Sequence, residues 1–179
     1  MDNREALRQL IQEKYIHKGH FTLSSGKTSS RYFDIKAMMG HSLDSGLLIH
    51  ELADKIKELN IEIGSIGGIE LGGALIASAL PYCKRTCFIR KAKRDHGMNK
   101  EIEGIPLAPI LLLDDVFSSG QTLFDTYGTV QLSAGFKIAG FLCVINRFID
   151  EEERGSKLEN LERFLNIKVH SLFREGDFE

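Results

Sequence analysis

Residues Ile110–Leu123 read ILLLDDVFSSGQTL. Ile110 to Leu113 form a short apolar run without alternation, the pattern of a strand buried on both faces. The run ends in two adjacent acids, Asp114 and Asp115. A loop of small residues follows, Ser118-Ser119-Gly120-Gln121-Thr122, and helical periodicity holds from Gln121 to Ala134, where Gly135 ends it. Each part has a chemical use. Backbone N–H groups at a helix start suit a phosphate, hydroxyls of Ser118, Ser119 and Thr122 add donors, and Gly120 lets the backbone approach a ligand closely. Two carboxylates at a strand end can accept hydrogen bonds from vicinal sugar hydroxyls and stabilise positive charge on a sugar. A capped helix with idle acids would explain less of this pattern. The absence of Gly-Lys-Ser/Thr excludes a P-loop.

Outward from this stretch, the chain alternates between short apolar runs and helical periodicity. A helix is expected over about 3–18, carried by Leu7, Leu10, Ile11 and Tyr15, with Gly19 as its stop. Phe21 to Met39 suggests turns and short strands. Leu43 to Leu59 is helical, with Ser42 as N-cap. Strands are expected at Ile61–Ile69, Thr86–Arg90, Pro109–Asp114, Ile138–Ile145 and Ile167–Leu172. Helices are expected at Ala74–Leu80, after the pair Gly72-Gly73, and at Leu158–Leu165. Continuous apolar strands separated by helices imply an α/β fold: a mostly parallel central sheet flanked by helices, with ligands beyond the carboxyl ends of the strands. We expect a single domain over 1–179, with N-terminal helix and hood elements over about 1–40 and the α/β core over about 41–179.

The 179 residues are 42% hydrophobic and 27% charged, as expected of a soluble globular chain. No apolar run approaches the ~18 residues of a membrane helix, and MDNREALRQL has no signal-peptide core, so no membrane partner and a cytoplasmic location are expected. Three cysteines cannot all pair, and Cys83 and Cys87 lack a second pair at zinc spacing. The histidines His17, His20, His41, His50 and His170 show no i, i+4 metal spacing. Asp150 to Glu153 suggests a solvated loop. The net charge of -2 argues against a nucleic-acid binder. That average hides a contrast. Residues 84–100 hold seven basic residues and one acid, a local charge of +6 against -8 elsewhere.

The Ile110–Leu123 segment resembles the phosphoribosyl-diphosphate (PRPP) motif of type I phosphoribosyltransferases. Two further stretches narrow the resemblance to orotate phosphoribosyltransferases: GHFTLSSGKTSSRYFDIK (Gly19–Lys36), similar to that family's N-terminal signature, and FIRKAKRDHG (Phe88–Gly97) with Ile102-Glu103-Gly104, similar to its mobile catalytic loop. GGIELGGALIASA (Gly67–Ala79) matches its Gly-Gly element.

The resemblance implies the type I phosphoribosyltransferase fold with a small N-terminal hood, and transfer of the phosphoribosyl group from PRPP to orotate in pyrimidine synthesis. It implies that Asp114 and Asp115 contact the ribose hydroxyls and that Val116 to Thr122 (Val116, Phe117, Ser118, Ser119, Gly120, Gln121, Thr122) form the PRPP segment, with Ser118 to Thr122 on the 5-phosphate. Ser118, Arg147, Phe33 and Tyr32 would meet orotate, with the Arg147 fork on its carboxylate. Arg90, Lys91, Arg94 and His96 would come down on the diphosphate. Mg2+ would be held mainly by PRPP, with no protein metal cage, and the loop would close over a partner subunit's site in a homodimer.

The sequence departs from the family at the loop. Arg94 stands where a critical lysine is usual, with Lys93 one place earlier. Arg94 serves as a fixed charge that cannot donate a proton near neutral pH, or Lys93 reaches in, or the protein has left orotate chemistry. Asn146 stands where Asp is frequent, and Ser24 and Gly72 stand where some members carry lysine. The alternatives are a related phosphoribosyltransferase for another base and a non-catalytic PRPP-binding regulatory protein. Glu70, inside the Gly-Gly element, could approach the site.

Overall fold

A computed structural model describes residues 2–22, 26, 28–81, 85–90, 100–148 and 152–178. Helix α1 (Asn3–Leu10) starts at Asp2, whose side chain accepts from the Arg4 N–H, and continues as a wider π turn over Ile11–Tyr15. Leu7, Ile11 and Tyr15 recur every four residues and are buried on one face. The helix stops at Tyr15, not Gly19. Ile16 turns extended and opens β1 (Ile16–Thr22), which pairs antiparallel with β2 (Thr28–Phe33). Gly19 therefore lies inside a strand, where the ladder is irregular between Lys18 and Phe21.

The short helix α2 (Ile35–Met39) was not foreseen. Asp34 caps it by accepting from the Ala37 N–H at 3.0 Å. Helix α3 (Ser42–Leu59) is capped by the His41 side chain, with Ser42 already its first residue. Strand β3 (Ser65–Ile69) is shorter than the expected Ile61–Ile69. Helix α4 (Glu70–Ala79) begins four residues before the expected Ala74, so the glycine pair lies within it. The reason is packing. A Cβ on Gly73 would strike the Leu113 carbonyl oxygen, and one on Gly72 would lie 2.5 Å from the Asp115 carboxyl carbon. Close approach of α4 to the sheet outweighs the low helix propensity of glycine.

There follow β4 (Thr86–Ile89), β5 (Ile102–Gly104), β6 (Ile110–Phe117), α5 (Gln121–Tyr127) with a π-type extension over Gly128–Ser133, β7 (Ile138–Asn146), α6 (Glu152–Leu165), β8 (Val169–Arg174) and a 3-10 turn at Glu175–Phe178. Of the acidic run expected as a loop, Asp150 and Glu151 lie outside the described residues, while Glu152 and Glu153 open α6.

The main sheet has the order β5-β4-β3-β6-β7-β8, with every neighbour parallel except β5 on β4. From β3 the chain moves outward to β4 and β5, then returns to place β6 on β3's other side. The β3/β6 boundary is thus a topological switch point, and a crevice opens beyond the carboxyl ends of these strands. Both faces are covered. Leu111 and Leu113 of β6 face a core with α1, α2, α3 and α4, while Ile110 and Leu112 face a second core with α5 and α6. No helix among the described residues is long and apolar enough to cross a membrane.

Candidate active site

Strand β6 runs through the two acids and ends at Phe117, three residues later than the sequence suggests for the strand end. Successive strand residues face opposite sides, and the acids part accordingly. Asp115 turns toward α2 and α4. Its Oδ2 accepts from Lys36 Nζ at 2.7 Å and its Oδ1 from the Val116 N–H at 2.9 Å. Asp114 accepts from the Asp115 N–H at 2.9 Å and lies near Cys143, whose thiol is pushed well up by burial and then by the Asp114 charge. A Cβ at Gly72 would collide with the Asp115 carboxylate, so only glycine leaves room for it there.

Beyond Phe117, the chain turns through Ser118 and Ser119 to Gly120, which adopts φ +78° at the N-cap of α5. Glycine is required there twice over, since a Cβ would also lie 2.8 Å from Leu161 Cδ2. Ser119 Oγ accepts from the Gln121 N–H at 3.4 Å, and Gln121 Nε2 donates to Asp125. The Phe117 ring is buried against Phe141 and Phe148, so only its backbone can serve a ligand, and its carbonyl accepts from the Arg147 N–H at 2.8 Å. That bond locks the position of Arg147, just past β7, to the loop.

Arg147 Nη2 donates to Ser29 Oγ and to Glu175 Oε1, both at 2.9 Å, and its guanidinium carbon lies 5.5 Å from the centre of the Phe33 ring. A cavity of about 310 Å3 collects Thr22, Tyr32, Phe33, Lys36, Asp115, Val116, Ser118 and Arg147. Six residues anticipated for PRPP or orotate (Tyr32, Phe33, Asp115, Val116, Ser118 and Arg147) therefore meet in one place. Its size suits a small ligand. A larger cavity of about 820 Å3, lined by Lys18, His20 and Arg31 among others, lies between the β1–β2 hairpin and the C-terminal turn. It holds no carboxylate and lies away from the strand ends, so the smaller cavity is the candidate.

The remaining expectations fall elsewhere. Ser119, Gly120, Gln121, Thr122 and Asp114 flank the cavity without lining it. Arg90 pairs with Glu103 at 2.7 Å, at the base of the loop between β4 and β5. Lys91, Lys93, Arg94 and His96 lie outside the described residues, as does Ser24. Glu70 stands at φ +50° where β3 passes into α4, an uncommon conformation for a non-glycine residue. Among the described residues no three His, Cys, Asp or Glu side chains group as a metal site.

Sequence reasoning missed Lys36. Burial works to lower the pKa of its ammonium, but the Asp115 carboxylate, by hydrogen bond and charge, carries the balance upward. Asp34 three residues before Ala37 was the available signal for a capped helix that would present it. Glu175 was missed as well, and no pattern in the C-terminal residues announces it.

No family model matches the chain. Solved structures resemble it throughout. Orotate phosphoribosyltransferase from Aeropyrum pernix superposes with a TM-score of 0.76 at 21% identity, covering 96% of each chain. The Mycobacterium tuberculosis enzyme in complex with PRPP does so with 0.72 at 19% identity, covering 99% of each. The fold is that of the type I phosphoribosyltransferases. Orotate phosphoribosyltransferase of Pyrococcus furiosus is 32% identical over 173 residues, 94% of each chain. The chain belongs to the orotate phosphoribosyltransferase family.

Proposed function

We propose that the protein joins orotate to the phosphoribosyl group of PRPP, giving orotidine 5-monophosphate and diphosphate, and that the cavity beyond β6 and β7 is where it does so. The observation that carries this is the meeting, in one cavity, of Asp115, the Ser118 end of the small-residue loop and Arg147. A sugar phosphate and a carboxylate-bearing base need those three chemistries side by side. Orotate's ring nitrogen bonds to the anomeric carbon, the carbon–oxygen bond to diphosphate breaks, the electron pair leaves with the diphosphate, and the ring nitrogen's proton goes to the departing diphosphate.

Asp115, with Asp114 beside it, accepts the ribose hydroxyls and stabilises positive charge building on the sugar. Ser118 to Thr122 hold the 5-phosphate. Arg147 takes the orotate carboxylate in its fork, above the Phe33 ring. Lys36 holds the Asp115 carboxylate in place at the cavity through the 2.7 Å hydrogen bond to its Oδ2. The basic segment containing Arg90, Lys91, Lys93, Arg94 and His96 meets the diphosphate and excludes water. The oxygen donors of Asp114 and Asp115 fit a hard cation brought in on PRPP, and too few others stand by for a protein cage. Bound there, Mg2+ would neutralise charge on the leaving diphosphate. We further propose a cytoplasmic homodimer in which that segment completes the partner subunit's site.

The test is the purified protein with PRPP, Mg2+ and orotate, followed by the loss of orotate absorbance. Turnover is expected. Absent turnover together with absent orotate binding by calorimetry would sink the proposal. Diphosphate release with another base would favour a different base specificity, and PRPP binding without any turnover would favour a regulatory protein.

A further inference from the structure

We infer that Glu175, on the C-terminal turn, is a positioning residue for Arg147 and so sets the affinity of the site for a carboxylate-bearing base. This rests on the reading of Arg147 as the group that takes that carboxylate. Glu175 Oε1 accepts from Arg147 Nη2 at 2.9 Å and lies 3.4 Å from Arg31 Nη2, so one carboxylate oxygen is shared between two guanidinium groups. Both side chains are largely buried, with exposures of only 11% for Arg147 and 12% for Glu175. Charge-assisted hydrogen bonds are strong there, and unopposed like charges are costly.

The carboxylate is held firmly. The turn is closed by the Arg174 N–H donating to Asp177 Oδ2 at 2.7 Å, and it is pinned by Phe178, buried between Phe33 and Phe173 with ring centres 5.5 Å from each. From the opposite side Ser29 Oγ accepts from the same Arg147 nitrogen. Two acceptors on separate elements thus fix the guanidinium plane over Phe33. A planar fork that must match a planar carboxylate gains most from being fixed beforehand. Removing the Glu175 charge takes from Arg147 one of the two acceptors that hold its Nη2 and from Arg31 the carboxylate oxygen 3.4 Å from its Nη2, and Arg147 turns out of register.

The experiment compares Glu175→Gln, Glu175→Asp and Arg147→Ala in steady-state assays varying orotate and PRPP separately, with thermal melts of each variant. Glu175→Gln, which keeps the shape and removes the charge, is expected to raise KM for orotate about tenfold while KM for PRPP and kcat change less than about threefold. Glu175→Asp is expected to recover part of the loss. It also carries the test should Glu175→Gln not fold, with a smaller rise in KM for orotate alone. A purely structural role would instead lower the melting temperature and shift both KM values together. An unchanged or lowered KM for orotate in Glu175→Gln, with Arg147→Ala raising it strongly, would overturn the inference alone, and a lowered value would make Glu175 a competitor of the substrate carboxylate. If Arg147→Ala leaves KM for orotate unchanged, the reading of Arg147 itself fails.

Discussion

Lys36 shows how one side chain can decide what a neighbouring acid does. Its Nζ lies 2.7 Å from Asp115 Oδ2 and 5.9 Å from the Tyr32 ring centre, so the ammonium is held between a carboxylate and an aromatic face at the rim of the cavity. An acid that accepts sugar hydroxyls must be correctly turned, and this pairing fixes its orientation. Lys36→Met should therefore raise KM for PRPP by roughly 5- to 30-fold, corresponding to about 1–2 kcal/mol for a charged hydrogen bond partly open to water. KM for orotate should change little, and Lys36→Arg should recover much of the loss. Equal changes in both KM values, or none, would remove Lys36 from PRPP binding. The acids and the serines stand out in the sequence because they end and follow an apolar strand, and Arg147 is reached only through the family resemblance. Lys36 and Glu175 do not stand out, because they reach the site from a five-residue helix and a terminal turn, where no periodicity marks an inward-facing residue.

At the level of elements, the hood and the core are tied through α3. Tyr15 Oη, at the end of the first helix, donates to Asp44 Oδ2 at 2.6 Å, and Lys14 Nζ lies 3.2 Å from the same oxygen. The Tyr15 hydroxyl holds the Asp44 carboxyl below its usual pKa, with Lys14 and His41 adding to the effect against the opposing pull of burial. Burial, and then Asp44, push the Tyr15 phenol up to about 12. The signs fix the pH window. The depressed Asp44 stabilises the fold above the unfolded carboxylate pKa of about 4 and loses that contribution as pH falls through its folded value. The raised Tyr15 stabilises it below about pH 10 and loses that contribution as pH rises toward its folded value. Tyr15→Phe should cost about 1.5–3 kcal/mol at neutral pH by urea unfolding, with the difference from the unsubstituted protein shrinking at both extremes. A pH-independent difference would refute the assignment. Legibility of the elements follows their burial. β6 stands out because both its faces are covered and ILLL needs no alternation. β1, IHKGHFT, is exposed along most of its length, so nothing marks it as a strand, and the helix before it is easily extended too far. In α4 the glycines serve close packing on β6, a tertiary requirement that local propensity cannot reveal.

For the whole molecule the unequal distribution of charge matters most. Residues 84–100 carry +6 and the rest of the chain -8. β4 lies within this segment and β5 follows it, and the two form the far edge of the sheet, separated by β3 from the acids on β6. A cationic segment leaving a sheet edge can serve its own cavity or that of a second copy, and the proposed homodimer chooses the latter. Mixing distinguishes the two. One variant, Lys93→Ala with Arg94→Ala, lacks the two central loop charges but keeps its cavity; the other, Asp115→Asn, keeps the loop but lacks the cavity carboxylate. Each alone should be nearly inactive. If a loop serves only the partner's cavity, co-expressed subunits pairing at random give about half heterodimers, each with one intact composite site, and about a quarter of full activity returns. If each loop serves its own cavity, every site in the mixture carries a defect and nothing returns. Activity no higher than the average of the two variants, with heterodimers demonstrated by differently tagged subunits, would show that the segment acts within its own chain, and the shared site would have to be abandoned.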